Sequence, residues 1–91
     1  MALSKVTVVD KIEVLEKGSV QVRTATRVLE DGVELSSSFH RHVVEPSTKA
    51  SGSWADTDII GEDARVQAIA TATWTSAVKT AYQEMIDAQA L

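Results

Sequence analysis

The octet Val28-Leu29-Glu30-Asp31-Gly32-Val33-Glu34-Leu35 carries the strongest hairpin signal in the chain. An Asp-Gly pair between alternating apolar positions favours a two-residue type I′ turn, since both central residues then need positive φ. Such a turn pairs Glu30 with Val33. Counting outward places Val28 opposite Leu35, Thr26 opposite Ser37, Thr24 opposite Phe39 and Val20 opposite Val43. Upstream, Glu16-Lys17-Gly18 reads as a three-residue loop with Gly18 left-handed, which pairs Leu15 with Ser19. It sets Val14 against Val20, Ile12 against Val22, Val8 against Thr26 and Val6 against Val28.

Opposed residues of antiparallel strands point to the same face. These registers therefore gather Val6, Val8, Ile12, Val14, Val20, Val22, Val28, Leu35, Phe39 and Val43 on one side. The other side is polar and mildly basic, with Lys11, Arg23, Arg27, His40 and His42 among its members. Beyond Pro46, which suits the end of a strand, residues 46–62 are rich in Ser, Thr, Gly and Asp and read as a long loop. Trp54 and Ile59-Ile60 are apolar enough to pin that loop to the domain or to a partner.

From residue 63 to residue 90 the period changes to 3.6 and alanine becomes abundant, which reads as helix. Glu62 and Asp63 suit its start. Thr75 can cap a second helix after a break at Trp74. A straight helix over this span would be about 42 Å long, against about 33 Å for a ten-residue strand. Either a bend or a partner is implied. The expected fold is α+β: one domain, residues 1–91, with strands over about 5–45 in a three-stranded antiparallel meander. The loop 46–62 and a helix or bent helix pair follow, packed on one sheet face.

The composition narrows the functional classes. Ninety-one residues bury little more than about 60% of the surface their unfolded chain exposes, which leaves little room for a catalytic cleft. Cysteine is absent, so no disulfide, thiolate metal site or thiol nucleophile can form. The net charge is −4, which argues against nucleic acid as a partner. The cationic stripe of Lys11, Arg23, Arg27 and His40 has no aromatic beside it for base stacking, because these registers turn Phe39 inward. Docking to an acidic protein surface fits the stripe better. No secretory leader is read at the start, and no apolar run approaches the span of a bilayer.

Chemistry-bearing constellations are thin. His40 and His42, two apart on a strand, share a face and would need a third ligand such as Glu13 or Glu34 to hold zinc or copper; the register puts Arg23 beside them. Asp56, Asp58, Glu62 and Asp63 are an acidic group short of the EF-hand pattern. Ser38 and His40 lack an orienting acid. No P-loop or nucleophile elbow occurs. The expectation is a protein that is not an enzyme, with no catalytic, cofactor or metal residues.

Several runs carry a resemblance. They are Asp10-Lys11-Ile12-Glu13-Val14-Leu15-Glu16-Lys17-Gly18, Val20-Gln21-Val22-Arg23-Thr24-Ala25-Thr26 and Glu30-Asp31-Gly32-Val33-Glu34. Phe39-His40-Arg41-His42-Val43-Val44-Glu45-Pro46, Asp63-Ala64-Arg65-Val66-Gln67-Ala68-Ile69-Ala70 and Trp74-Thr75 belong with them. Together these resemble a family of short proteins encoded by tailed bacteriophages and prophages, over nearly the whole chain. The segment Ser47 to Ile60 departs from the shorter, Gly-Asp-containing link of that family. The resemblance implies a structural virion protein, made in the host cytoplasm and placed near tail, baseplate or fibre components. The alternatives are a capsid decoration protein and a non-virion accessory protein that binds a host factor. The expected partners are other virion proteins and further copies of this chain. The expected contact residues are Lys11, Arg23, Arg27, His40 and His42 on the sheet, with Trp54 as a loop anchor.

Overall fold

The computed structural model describes residues 2–89. The chain is α+β: β1 (Leu3–Val14), β2 (Val20–Glu30) and β3 (Val33–Val44) form an antiparallel sheet in the order β1-β2-β3. Next come a small hairpin of β4 (Ser47–Ala50) and β5 (Ser53–Asp56), then α1 (Ala64–Thr73) and α2 (Ser76–Gln89). The expected helical end at Ala90 lies outside the described residues.

Both turns form as their residues dictate. Asp31 and Gly32 take φ of 52° and 83°, the left-handed pair that a type I′ turn needs, and Glu30 faces Val33. Gly18 takes φ of 92°, and the Leu15 amide donates to the Ser19 carbonyl at 2.8 Å. A third turn lies in the segment expected to be loop. Ser51 and Gly52 take φ of 52° and 80° and join β4 to β5.

The registers hold near the turns and slip beyond them. Val14 faces Val20 and Ile12 faces Val22, but Asp10 is an extra residue, a β-bulge. Past it Val8 faces Ala25 and Val6 faces Arg27, not Thr26 and Val28. In the second hairpin Leu35 is the extra residue. Val28 then faces Ser36, Ala25 faces Phe39, and Val20 faces Val44 rather than Val43. Because side chains alternate with a period of two, one inserted residue turns everything beyond it to the other side. Val6, Val8, Phe39 and Val43 thus leave the face expected to be core.

The core is short. Val20, Val22 and Val44 of the sheet meet Val66 and Ala70 of α1 and Trp74 of the interhelix link, with Val9, Ile12, Ile59 and Val78 packed around them. The indole N–H of Trp74 donates to the Gly18 carbonyl at 2.6 Å in a buried contact. Asp63 caps α1 by accepting the Arg65 amide at 2.9 Å. The Thr75 hydroxyl accepts the Val78 amide at 3.3 Å and starts α2. The helical segment is therefore two helices that turn back over the base of the sheet.

The sheet overhangs the helices, the reverse of the overhang that one straight helix would give. The radius of gyration is 17.0 Å and the extents are 57 × 26 × 23 Å, whereas a compact chain of this length would measure about 12 Å. The outer half of the sheet, toward Leu3, Glu30 and Val33, projects as an arm, and among the described residues no helix covers either of its faces.

Gly18 is where the base is tightest. A Cβ there would lie 2.5 Å from Val78 Cγ1 and 3.3 Å from Pro46 Cγ, on a backbone already at positive φ. Gly18→Ala should lower stability by about 2 kcal/mol or more, combining strain with overpacking. Gly32→Ala, with nothing within 4 Å, should cost only the turn strain, about 1 kcal/mol. Urea midpoints of the two variants test this; equal losses would show that packing against Val78 contributes nothing.

Candidate docking surface

The arm has two dissimilar faces. The face continuous with the core carries Thr7, Thr24, Thr26, Val28, Ser36, Ser38 and His40 by register and alternation. The opposite, outer face carries Val6, Val8, Ala25, Arg23, Arg27, Phe39, Arg41 and Val43. Its large apolar side chains are unusually open: Val6 is 41% exposed, Val8 37%, Phe39 49% and Val43 50%. Ala25 lies between Val8 and Phe39 in the pairing and is fully buried.

A row of cations crosses this outer face just below the apolar group. The registers set Lys11, Arg23 and Arg41 side by side on the three strands. Such a row needs compensation, and Asp10 provides it for the central Arg23. Arg23 donates to both Asp10 oxygens, at 2.9 and 2.8 Å, and Arg27 stands 3.9 Å from the same carboxylate and 3.4 Å from Glu34. Lys11 lies 3.2 Å from Glu13. Among the described residues Arg41 forms no ion pair. The Arg23 guanidinium also lies 4.6 Å from the centroid of the Phe39 ring, a cation–π contact that holds the ring in place.

The expected contact residues therefore divide. Lys11, Arg23 and Arg27 do share one face. His40 and His42 lie on the other, because the Leu35 bulge brings Thr24 rather than Arg23 opposite His40 and Arg41 opposite Arg23. The two imidazoles stack at 6.3 Å, and His42 Nε2 hydrogen-bonds Glu62 Oε1 at 2.7 Å. The expected inward turn of Phe39 and its separation from the arginines are likewise corrected by the register.

Trp54 is anchored within the chain. Its ring meets Tyr82 edge-on at 6.0 Å, and its N–H points at Asp87 at 3.4 Å, beside a Lys49–Asp87 ion pair of 2.9 Å. The lysine chiefly, and the indole less, hold Asp87 below its usual carboxylate range. Burial, assisted by Glu45, pushes the Tyr82 phenol up.

The acidic group beside the loop is also used up locally. Asp56 pairs with Lys79 at 2.9 Å, Asp58 accepts the Ile60 amide at 3.0 Å, Glu62 meets His42 and Asp63 caps α1. Among the described residues no three His, Asp or Glu side chains converge as metal ligands, and no helix there is long and apolar enough to cross a membrane.

The two edges of the sheet differ as well. On β1 the Asp10 bulge breaks the ladder, Arg65 donates to the Val9 carbonyl at 3.1 Å, and Lys5 and Lys11 add charge. Bulges and lysines are the usual means of blunting an edge. On β3 the run from Ser36 to Val44 pairs regularly with β2 and holds Arg41 as its one acid or base besides the histidines. Among the described residues no backbone group pairs with its outer row of amides and carbonyls. No family model, no curated protein and no solved structure matches the chain.

Asp10 gives the surface a pH signature. The hydrogen bonds from Arg23 are the largest cause of a carboxyl held below its ordinary value of 3.8. A carboxylate with a depressed folded-state pKa adds stability that is complete above the ordinary value and is lost as pH falls through the lowered one. The advantage of the native chain over Asp10→Asn in urea midpoint should stay level from neutrality to about pH 5, then shrink on further acidification. A gap of constant size into strong acid would mean the bulge does not depend on the charged pair.

Proposed function

We propose that the chain is a structural component of a tailed-phage particle that works by docking, at the tail, the baseplate or the attachment of a fibre. The observation that carries the docking part is the uncovered arm: Val6, Val8 and Phe39 stand exposed on a three-stranded sheet, beside the half-buried Arg23 and Arg27 and the exposed Arg41. A soluble chain rarely leaves such a patch open unless another surface covers it. An aromatic ringed by arginines is the composition that interface centres favour. The phage part rests on the resemblance of the sequence runs around Asp10–Thr26, Phe39–Pro46 and Asp63–Ala70.

The short core also supports docking over catalysis. Its apolar residues are spent joining two helices to the base of the sheet, and the outer face offers exposed apolar side chains beside paired charges. Mass spectrometry of particles washed at high salt should find the chain at a fixed ratio to tail proteins. Its absence from washed particles would remove the virion reading. Phe39→Glu should leave the circular dichroism of the isolated chain unchanged, since the ring is half exposed, while cutting incorporation into particles several-fold. Normal incorporation of that variant would exclude the outer face as the contact.

A further inference from the structure

We propose that the open edge of β3 pairs with β3 of a second copy, antiparallel about a two-fold axis through Ser38, giving a continuous six-stranded sheet. The proposal rests on the reading of the arm as a docking element and names one of its partners.

The geometry restricts the register closely. A two-fold axis normal to the sheet requires each residue to oppose one pointing to the same side. With Ser38 opposite itself, Ser37 faces Phe39 of the second copy and Ser36 faces its His40. Leu35 is the extra residue of the bulge, so the next pair is Glu34 with Arg41 of the second copy. Both side chains belong to the outer face: Glu34 already leans to Arg27 there, and Arg41 stands beside Arg23. The contact forms twice by symmetry. It supplies a carboxylate to the cation that has none among the described residues, and the Glu34 side chain is 51% exposed and free to accept a second donor.

Neighbouring registers lose this match. An axis at Phe39 sets Glu34 against Val43 and Arg41 against Ser37. An axis at Ser37 sets Glu34 against Phe39, and one at Arg41 opposes two arginines, which like-charge repulsion disfavours. The Ser38 register also makes Phe39 and its symmetry mate diagonal neighbours on the outer face, within reach for an aromatic contact. The helices pack over the Val44 end of β3, so the two helical units fall at opposite ends of the joined sheet and do not collide. The β1 edge, broken by its bulge, competes poorly for the same role.

The absence of cysteine permits a direct test. Opposed residues in an antiparallel pair have Cα atoms about 4.5–5.5 Å apart, within the span a disulfide bridges. Ser38→Cys should crosslink to a dimer under mild oxidation, while Ser36→Cys, facing His40, should stay largely monomeric on the same gel. In sedimentation, Arg41→Glu should weaken the dimer about tenfold or more, and adding Glu34→Arg should restore much of the loss. A single-chain mass at every concentration, or equal crosslinking of both cysteine variants, would overturn the pairing. Detection in washed particles without a Ser38 crosslink would end this proposal and leave the virion reading standing; a Ser38 dimer absent from particles would do the reverse.

Discussion

The two hydrogen bonds from Arg23 to Asp10 sit at the point where the character of the sheet is decided. Asp10 is the residue that does not fit the ladder, and its carboxylate is held between Arg23 and Arg27. Because it occupies an extra place in β1, Ile12 and Val14 keep company with Val20 and Val22, while Val6 and Val8 turn away from the helices. The base of the sheet therefore belongs to the core and the outer half faces solvent on both sides. The same pair neutralises Arg23, the central member of the cation row, so local charge balance and facial assignment meet at one residue.

Much of the backbone plan was legible in the residues. Asp31-Gly32 and Gly18 took the conformations their chemistry demands, and Asp63 and Thr75 capped two helices where their side chains are suited to do so. Face assignment failed because alternation counts residues and cannot register an insertion. Two signals bore on it: the adjacent valines Val8-Val9 and Val43-Val44. A one-sided strand needs only one valine of each pair, and in each case the second member went to the core side. The β4–β5 hairpin was missed for a different reason. Ser51-Gly52 is a competent turn, but Ser-Thr-Lys-Ala and Ser-Trp-Ala-Asp beside it lack the apolar alternation that marks strands.

On the outer face, Lys11 and Arg23 share a side as the register near the first turn implies, where no insertion intervenes, and Arg27 joins them along the same strand. The single extra residue at Leu35 moves Phe39 and Arg41 onto the face of the arginines and His40 and His42 onto the other. Trp54 was legible as an anchor, though only the fold says to what. Its partner Tyr82 lies far along the chain, and no local pattern links them.

The path of β2 has a mechanical consequence. It runs as one uninterrupted strand from the turn at Gly18, locked under Trp74, to the turn at Asp31-Gly32 at the far tip. A pull on the tip along the arm is therefore carried by covalent backbone from end to end, with the ladders on either side loaded in shear rather than peeled open. A strut built this way carries tension along β2 by covalent backbone, and the buried Trp74–Gly18 hydrogen bond is the link that passes it to the helical foot.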